Sequence, residues 1–312
     1  MAEPWVRRGR LLTPQDLPGT YRLLQAPGCW ELPNGLLRIS VNARNAQNRA
    51  HAFTFDADPE DGMRIRRIDA APIYGPERLP GATSVGLASV VRDPEGRLRA
   101  YGGALWLTPP CYQISIISCV SEDEGRSFSD PVIVLPAEQN RGMPVLPGCV
   151  RREGQTWRMW YTAFEEWKLD GDNDPDSRYS IRHATSRDGL VWQPDPGIAL
   201  ARRSDADAGI ISPAVVAYPA GYEMWSSLRG PYSEENPLLR RYRLIRATSA
   251  DGEHFVIDAQ APVFANPPAP GDWDAEMQCY PHVFRAENRF DILLYTGNGY
   301  GSAGIGWATR PN

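Results

Sequence analysis

Short apolar runs separated by polar turns fill almost the whole chain, at the spacing of β-strands rather than helices. Pro147-Gly-Cys-Val150, Pro213-Ala-Val-Val216 and Pro281-His-Val-Phe284 each open such a run. Each run meets a polar turn, at Glu153-Gly154, Ala220-Gly221 and Glu287-Asn288. A second run follows, at Trp157–Tyr161, Tyr222–Trp225 and Phe290–Tyr295. Leu87–Val90 with the turn Pro94-Glu-Gly96, and Pro27-Gly-Cys-Trp30 with Asn34-Gly35, fit the same template.

A second phrase keeps step with the first. Ser121-Glu-Asp-Glu-Gly125-Arg-Ser-Phe128, Ser186-Arg-Asp-Gly189-Leu-Val-Trp192 and Ser249-Ala-Asp-Gly252-Glu-His-Phe255 place Asp123, Asp188 and Asp251 65 and 63 positions apart. Gly takes positive φ without steric cost and Asp bonds its own backbone, so the phrase predicts a tight turn capped by its Ser. The aromatic that follows is expected between neighbouring sheets. A long internal period marked in this way predicts a toroidal β-repeat. Five units of about 60 residues each give an all-β, five-bladed propeller of four-stranded blades, one domain over 1–312. The plain alternative is a β-sandwich with accidental similarity. The last unit runs out after its third strand, Ala303–Thr309, while Trp5–Leu12 reads like the outer strands elsewhere. The N-terminus is therefore expected to close the last blade and remove its open edge.

Composition narrows the function classes. A 42% hydrophobic content over 312 residues is enough for a substantial core. A net charge of −5, with no aromatic-basic stripe, speaks against a nucleic-acid surface. The start Met-Ala-Glu-Pro-Trp has no apolar signal region, and no run approaches the roughly 18 residues that span a bilayer, so a cytoplasmic location is expected. Five cysteines without a Cys-x-x-Cys read as reduced thiols, with Cys29, Cys149 and Cys279 on inner strands. Four scattered His residues make no zinc pattern, and neither a nucleophile elbow nor a phosphate-binding glycine loop occurs, so no metal or cofactor is expected. The acidic tract Leu169–Ser177 lacks the helices and closing Glu of an EF-hand and reads as a solvated loop.

In a propeller, the segments leading into the inner strands and the loops from second to third strands meet at one face. That face nominates the chemistry. Glycosidic bond cleavage needs an acid for the leaving oxygen and a second carboxylate as base or nucleophile. Asp207 and Glu276 precede the inner strands of the fourth and fifth units, and Glu165 or Glu166 reaches the same rim from the third. The plain alternative for each is a solvated rim carboxylate. Arg44, Trp106, Trp167, Arg229, Tyr280, Asn298 and Tyr300 stand where they can stack on a sugar ring or bond its hydroxyls. Arg44 and Arg229 read equally as surface ion-pair partners. His282, on an inner strand, reads as a satisfied channel histidine. No three-arginine cluster for a carboxylate is apparent.

The Ser-x-Asp-Gly-x-x-Trp/Phe blades resemble the five-bladed propeller glycosidases: arabinanases and xylosidases of glycoside hydrolase family 43, fructosidases of family 32 and mannoside phosphorylases of family 130. Trp273-Asp-Ala-Glu-Met-Gln-Cys-Tyr-Pro281 and Tyr295-Thr-Gly-Asn-Gly-Tyr-Gly301 look closer still to an uncharacterised glycosidase-like group. In that group an acid precedes the fourth blade's Pro, where Asp207 stands, and an Arg follows its second strand, where Arg229 stands. The resemblance implies a glycoside hydrolase-like enzyme for a carbohydrate or glycosylated metabolite, with Glu276 as acid or nucleophile and Asp207 as its partner. The chain departs from families 43 and 32 at Gln25-Ala-Pro-Gly-Cys-Trp30, where those enzymes carry an Asp. Two further readings follow: a non-catalytic carbohydrate-binding propeller, and a glycosyl transferase or phosphorylase on the same fold.

Overall fold

The computed structural model describes residues 3–168, 176–233, 235–286 and 290–311. The acidic tract over 169–175 and the turn at 287–289 lie outside the described residues. The described strands form five four-stranded antiparallel units, and the N-terminal strand β1 (Val6–Leu12) belongs to the last of them. The first comprises β2 (Leu23–Glu31), β3 (Leu37–Arg44), β4 (Ala50–Asp58) and β5 (Arg64–Ile68). The second comprises β6 (Ser84–Arg92), β7 (Leu98–Thr108), β8 (Cys111–Ser121) and β9 (Val132–Leu135). The third runs β10 (Val145–Glu153), β11 (Thr156–Lys168), β12 (Asp176–Ser186) and β13 (Gln193–Pro194). The fourth runs β14 (Gly209–Tyr218), β15 (Gly221–Arg229), β16 (Arg243–Ser249) and β17 (Val256–Ile257). The fifth holds β18 (Cys279–Arg285), β19 (Phe290–Thr296) and β20 (Ile305–Pro311), with β1 paired to β20 as its outer strand. The N-terminal closure expected from the sequence is therefore present. Trp5, fully buried, extends it by bridging Phe264 of the fourth unit's outgoing segment.

The inner strands β2, β6, β10, β14 and β18 stand side by side and close a ring. Hydrogen bonds cross every joint of it. Asn42 bonds both backbone groups of Leu87 at 2.9 Å, the Val150 amide donates to Ser89 Oγ at 3.1 Å, and Cys149 Sγ donates to Val215 O. The Tyr280 amide donates to Ser227 Oγ at 2.8 Å, and the Cys29 amide donates to His282 Nε2 at 3.2 Å. His282 is thus the satisfied channel histidine that its position implied, and burial lowers its pKa to about 4.

The recurrent prolines have a structural reason. Every inner strand breaks register at the same level: Gln25/Gly28, Leu87/Ser89, Pro147/Cys149, Ile211/Ala214 and Cys279/His282. Pro cannot donate to a sheet ladder, so inside a sheet it is tolerated at a bulge. Pro27, Pro147, Pro213 and Pro281 all lie at these breaks and line the narrow axial channel. Ala26, Ser212 and Tyr280 take positive φ there, at 46°, 56° and 52°. Non-glycine residues rarely adopt that conformation, and bulges of this kind re-aim side chains.

The Asp-Gly phrases form the turns into the outer strands as the sequence implied. In each, the Ser hydroxyl receives the glycine amide (Gly125, Gly189 and Gly252 at 2.8, 2.9 and 2.9 Å), while the Asp carboxylate receives two further amides. Phe128, Trp192 and Phe255 are buried. Each turn also accepts a hydrogen bond from the preceding blade: Trp30 Nε1 to Glu124 O, Tyr101 Oη to Gly189 O and Trp160 Nε1 to Gly252 O. A repeat read in sequence thereby becomes a repeated inter-blade clamp.

Candidate functional site

The face where β2–β3-type pairs and their crossing loops converge holds a cavity of about 840 Å³. That is the size of a small-molecule site. It narrows through a neck lined by Gln25, Asn42, Arg44 and Tyr280 into the axial channel. Its walls combine aromatic rings (Tyr112, Phe164, Trp167, Tyr179, Tyr242, Tyr280, Tyr300) with Arg44, Arg49, Arg229 and Arg240. The described lining contains no carboxylate and no histidine.

One wall is a layered stack. Phe164 and Tyr179 lie face to face at 4.8 Å, and the Arg229 guanidinium covers Tyr179 at 5.2 Å. The backbone permits this because position 209 is glycine: a Cβ there would collide with the Tyr179 ring. Residues 179 and 209 form the single parallel bridge that joins the third and fourth units into one eight-stranded sheet. Arg229 donates from Nε to Tyr179 Oη at 2.5 Å and from Nη2 to Ser177 O at 3.0 Å, and its Nη1 pairs with Asp176 at 2.9 Å. Tyr179 Oη in turn bonds Tyr242 Oη. Burial opposes the charge on Arg229, but Tyr179, Tyr242 and Asp176 hold its pKa above the ordinary value. Asp176 is held down to about 2: burial alone would raise it, and Arg178 and Arg229 outweigh that effect. Burial pushes the phenols of Tyr112, Tyr242, Tyr280 and Tyr300 up. At neutral pH these four are therefore hydroxyl groups, able to donate and accept, and not bases.

Opposite, Arg44 at the end of β3 donates from Nε to Gln25 Oε1 at 2.6 Å and from Nη1 to Asn48 O at 2.9 Å. Gln25 is fixed through Nε2 on Tyr300 O at 3.0 Å. Tyr300 lies in a single helical turn, Asn298–Gly301, whose Gly299 and Tyr300 are left-handed, and its hydroxyl donates to Arg240 O at 3.1 Å.

Of the positions singled out in the sequence, Arg44, Trp167, Arg229, Tyr280 and Tyr300 line this cavity. Trp106 does not: its Nε1 donates to Pro80 O. Asn298 is committed to the backbone, receiving the Glu276 and Met277 amides and donating to Asp272 O. None of the four candidate acids is among the cavity's lining. Asp207 is buried beneath the rim, and Arg203 binds both its oxygens at 2.7 and 2.9 Å and holds its pKa down. Glu165 pairs with Arg202 at 3.1 Å, and Glu166 with Lys168 at 3.6 Å. Glu276 is exposed and pairs with Arg241 at 2.9 Å in a smaller neighbouring pocket, which shares Arg240, Gly299 and Tyr300 with the cavity. Asp207 and Glu276 do stand at the same end of the molecule. The Ala208 amide bonds Arg229 O, the Gly230 amide bonds Leu239 O, and two residues on stands Arg241, the partner of Glu276.

The residues that sequence reasoning passed over are Tyr179, Tyr242, Arg240, Gln25 and Asn48. None sits in a repeated phrase. The arginines do assemble on one cavity after all, because Arg44 and Arg229 end the second strands of two different units while Arg49 and Arg240 follow in their loops.

The fold is a β-propeller shared with solved glycoside hydrolases. It is similar across 100% of this chain and 93% of the other to a solved glycoside hydrolase, with TM-score 0.74 at 12% identity. An α-L-arabinofuranosidase from Podospora anserina, solved in complex with cellotriose, matches with TM-score 0.66 at 14% identity over 99% of this chain and 97% of that one. No protein-family model matches the chain. It is 30% identical, over 99% of both lengths, to the uncharacterized proteins Rv1502 and MT1551 of two Mycobacterium tuberculosis strains, and it belongs to their family. Among the described residues no helix is long and apolar enough to cross a membrane.

Proposed function

We propose that the protein binds a carbohydrate or glycosylated metabolite in the central cavity, as a carbohydrate-binding propeller rather than a two-carboxylate hydrolase. The observation that carries this reading is the lining itself: aromatic faces, phenol hydroxyls, amides and arginines, with each of the four candidate acids drawn into an ion pair outside it. Aromatic faces suit the apolar faces of sugar rings, and fixed polar groups suit their hydroxyls. A general acid must sit within hydrogen-bond reach of the bond it protonates, with a pKa near the working pH. Asp207 and Asp176 have the opposite property. Isothermal titration against a saccharide panel, run beside a nitrophenyl-glycoside screen, tests the reading. Binding without turnover supports it, and hydrolysis that survives purification contradicts it.

A hydrolase with Glu276 as proton donor is the second reading. It is favoured by the wall of Arg240, Gly299 and Tyr300 that the Glu276 pocket shares with the cavity, across which an extended ligand would reach both.

A further inference from the structure

Every buried arginine in the described structure faces a carboxylate: Arg38 with Asp56, Arg99 with Asp93, Arg158 with Glu153, Arg178 and Arg229 with Asp176, and Arg310 with Glu223. Arg44, half-buried at the neck of the cavity, has no such partner: among the described residues no carboxylate pairs with it, and only Tyr280 and Tyr112 act on its charge. A guanidinium removed from water without a counter-charge is costly, so such a site favours an anion. Its neighbours do not neutralise it. Gln25 and Asn48 take Nε and Nη1 as neutral acceptors and fix the plane of the group, and no described residue bonds Nη2. Arg49 and Arg240 line the same cavity and likewise make no ion pair among the described residues. Arg229 is different, because its three nitrogens are all engaged by the protein.

We propose that the ligand is an acidic saccharide, a sugar bearing a carboxylate or a phosphate ester, with its anionic group seated against Arg44 and its ring against the cavity's aromatic wall. The proposal rests on the carbohydrate reading above and adds the charge of the ligand. The pocket combines one positioned guanidinium edge for the anion with two further cations at its rim. A guanidinium recognises either oxyanion through charge-assisted hydrogen bonds, so the class is set by the shared negative charge.

The test is titration calorimetry with glucose, galactose and mannose, with their uronate and 6-phosphate counterparts, and with acetate and inorganic phosphate alone. At least one acidic sugar is expected to bind tenfold or more tightly than its neutral parent, with an affinity that falls as salt is raised. Whether the uronate or the phosphate gains more distinguishes the two sources of charge. Arg44→Gln is expected to erase the acidic-over-neutral ratio, and Arg44→Lys to keep part of it. If Arg44→Gln does not fold, the salt dependence and Arg44→Lys decide. Equal binding of neutral and acidic sugars overturns the proposal and leaves the carbohydrate reading standing. Acetate or phosphate binding as tightly as the sugar acids overturns both the acidic-saccharide assignment and the carbohydrate reading, and so does a panel in which nothing binds.

Discussion

Trp160 of the third blade donates its indole N–H to the backbone carbonyl of Gly252, in the turn of the fourth, at 2.7 Å. The same contact recurs from Trp30 to Glu124 and from Tyr101 to Gly189, so adjacent blades are held by a donor on one and a capped turn on the next. Trp160 is fully buried. Replacing it with Phe removes the donor, leaves the Gly252 carbonyl without that partner and opens a small void. Together these should cost about 2 kcal/mol of unfolding free energy. Urea denaturation measures it, and an unchanged midpoint would show that the clamp contributes nothing.

The closing strand makes a second prediction. Arg7 on β1 binds both oxygens of Asp274, at 2.9 and 2.5 Å, and Asp274 is fully buried and also accepts from Tyr295 Oη at 2.7 Å. Arg7→Met leaves a buried carboxylate short of its cation, at a cost of about 3 kcal/mol. Deleting residues 1–12 goes further and bares the β20 edge. That protein is expected to aggregate on size-exclusion chromatography, and a truncated chain that melts with the full-length one removes the role given to the clasp.

Acid should act in two stages. His282 has its pKa lowered to about 4 by burial, and His183 is also lowered, chiefly by burial, with Arg158 donating to its Nε2 at 3.0 Å. Between about pH 6.5 and 4 the unfolded chain binds protons that folded His282 does not, so stability falls as pH falls through that window. Asp176, held at about 2, contributes stability that is complete above its unfolded value near 4 and lost as pH falls from there toward 2. His282→Gln should flatten the upper stage and leave the lower one. Denaturant titrations at a series of pH values give the slopes, and a variant with the wild-type slope between pH 6.5 and 4 rules out this assignment.

Much of the fold was legible because it repeats. The Ser-x-Asp-Gly turns and the bulge prolines solve one local problem several times over, and a repeated solution leaves a period in the sequence. The mouth does not repeat. Tyr179, Tyr242 and Arg229 meet because Gly209 lets β12 and β14 touch, the third strand of one unit against the inner strand of the next, a pairing that recurs at no other joint among the described residues. The ion pairing of the acids was hidden for a related reason. Asp207 and Glu276 occupy the right positions before β14 and β18, but Arg203 and Arg241, four residues upstream of one and thirty-five of the other, claim them. Ion pairing of this kind depends on loop conformation, which residue type and spacing leave open.

Glu276→Gln separates the two functional readings. Glu276 is exposed, and its contact with Arg241 is a surface pair worth little. The variant should fold with an unchanged melting temperature and keep saccharide affinity within about threefold. Turnover in the wild type that disappears in this variant would instead establish the hydrolase.

Hydrogen–deuterium exchange with and without saturating saccharide tests the central claim most directly. Protection is expected on Arg44–Arg49, around Tyr112, across Arg240–Tyr242 and over Asn298–Gly301, the segments that enclose the cavity. Protection confined to the Asp-Gly turns at Ser186–Trp192 and Ser249–Phe255 would place the ligand elsewhere and contradict the account.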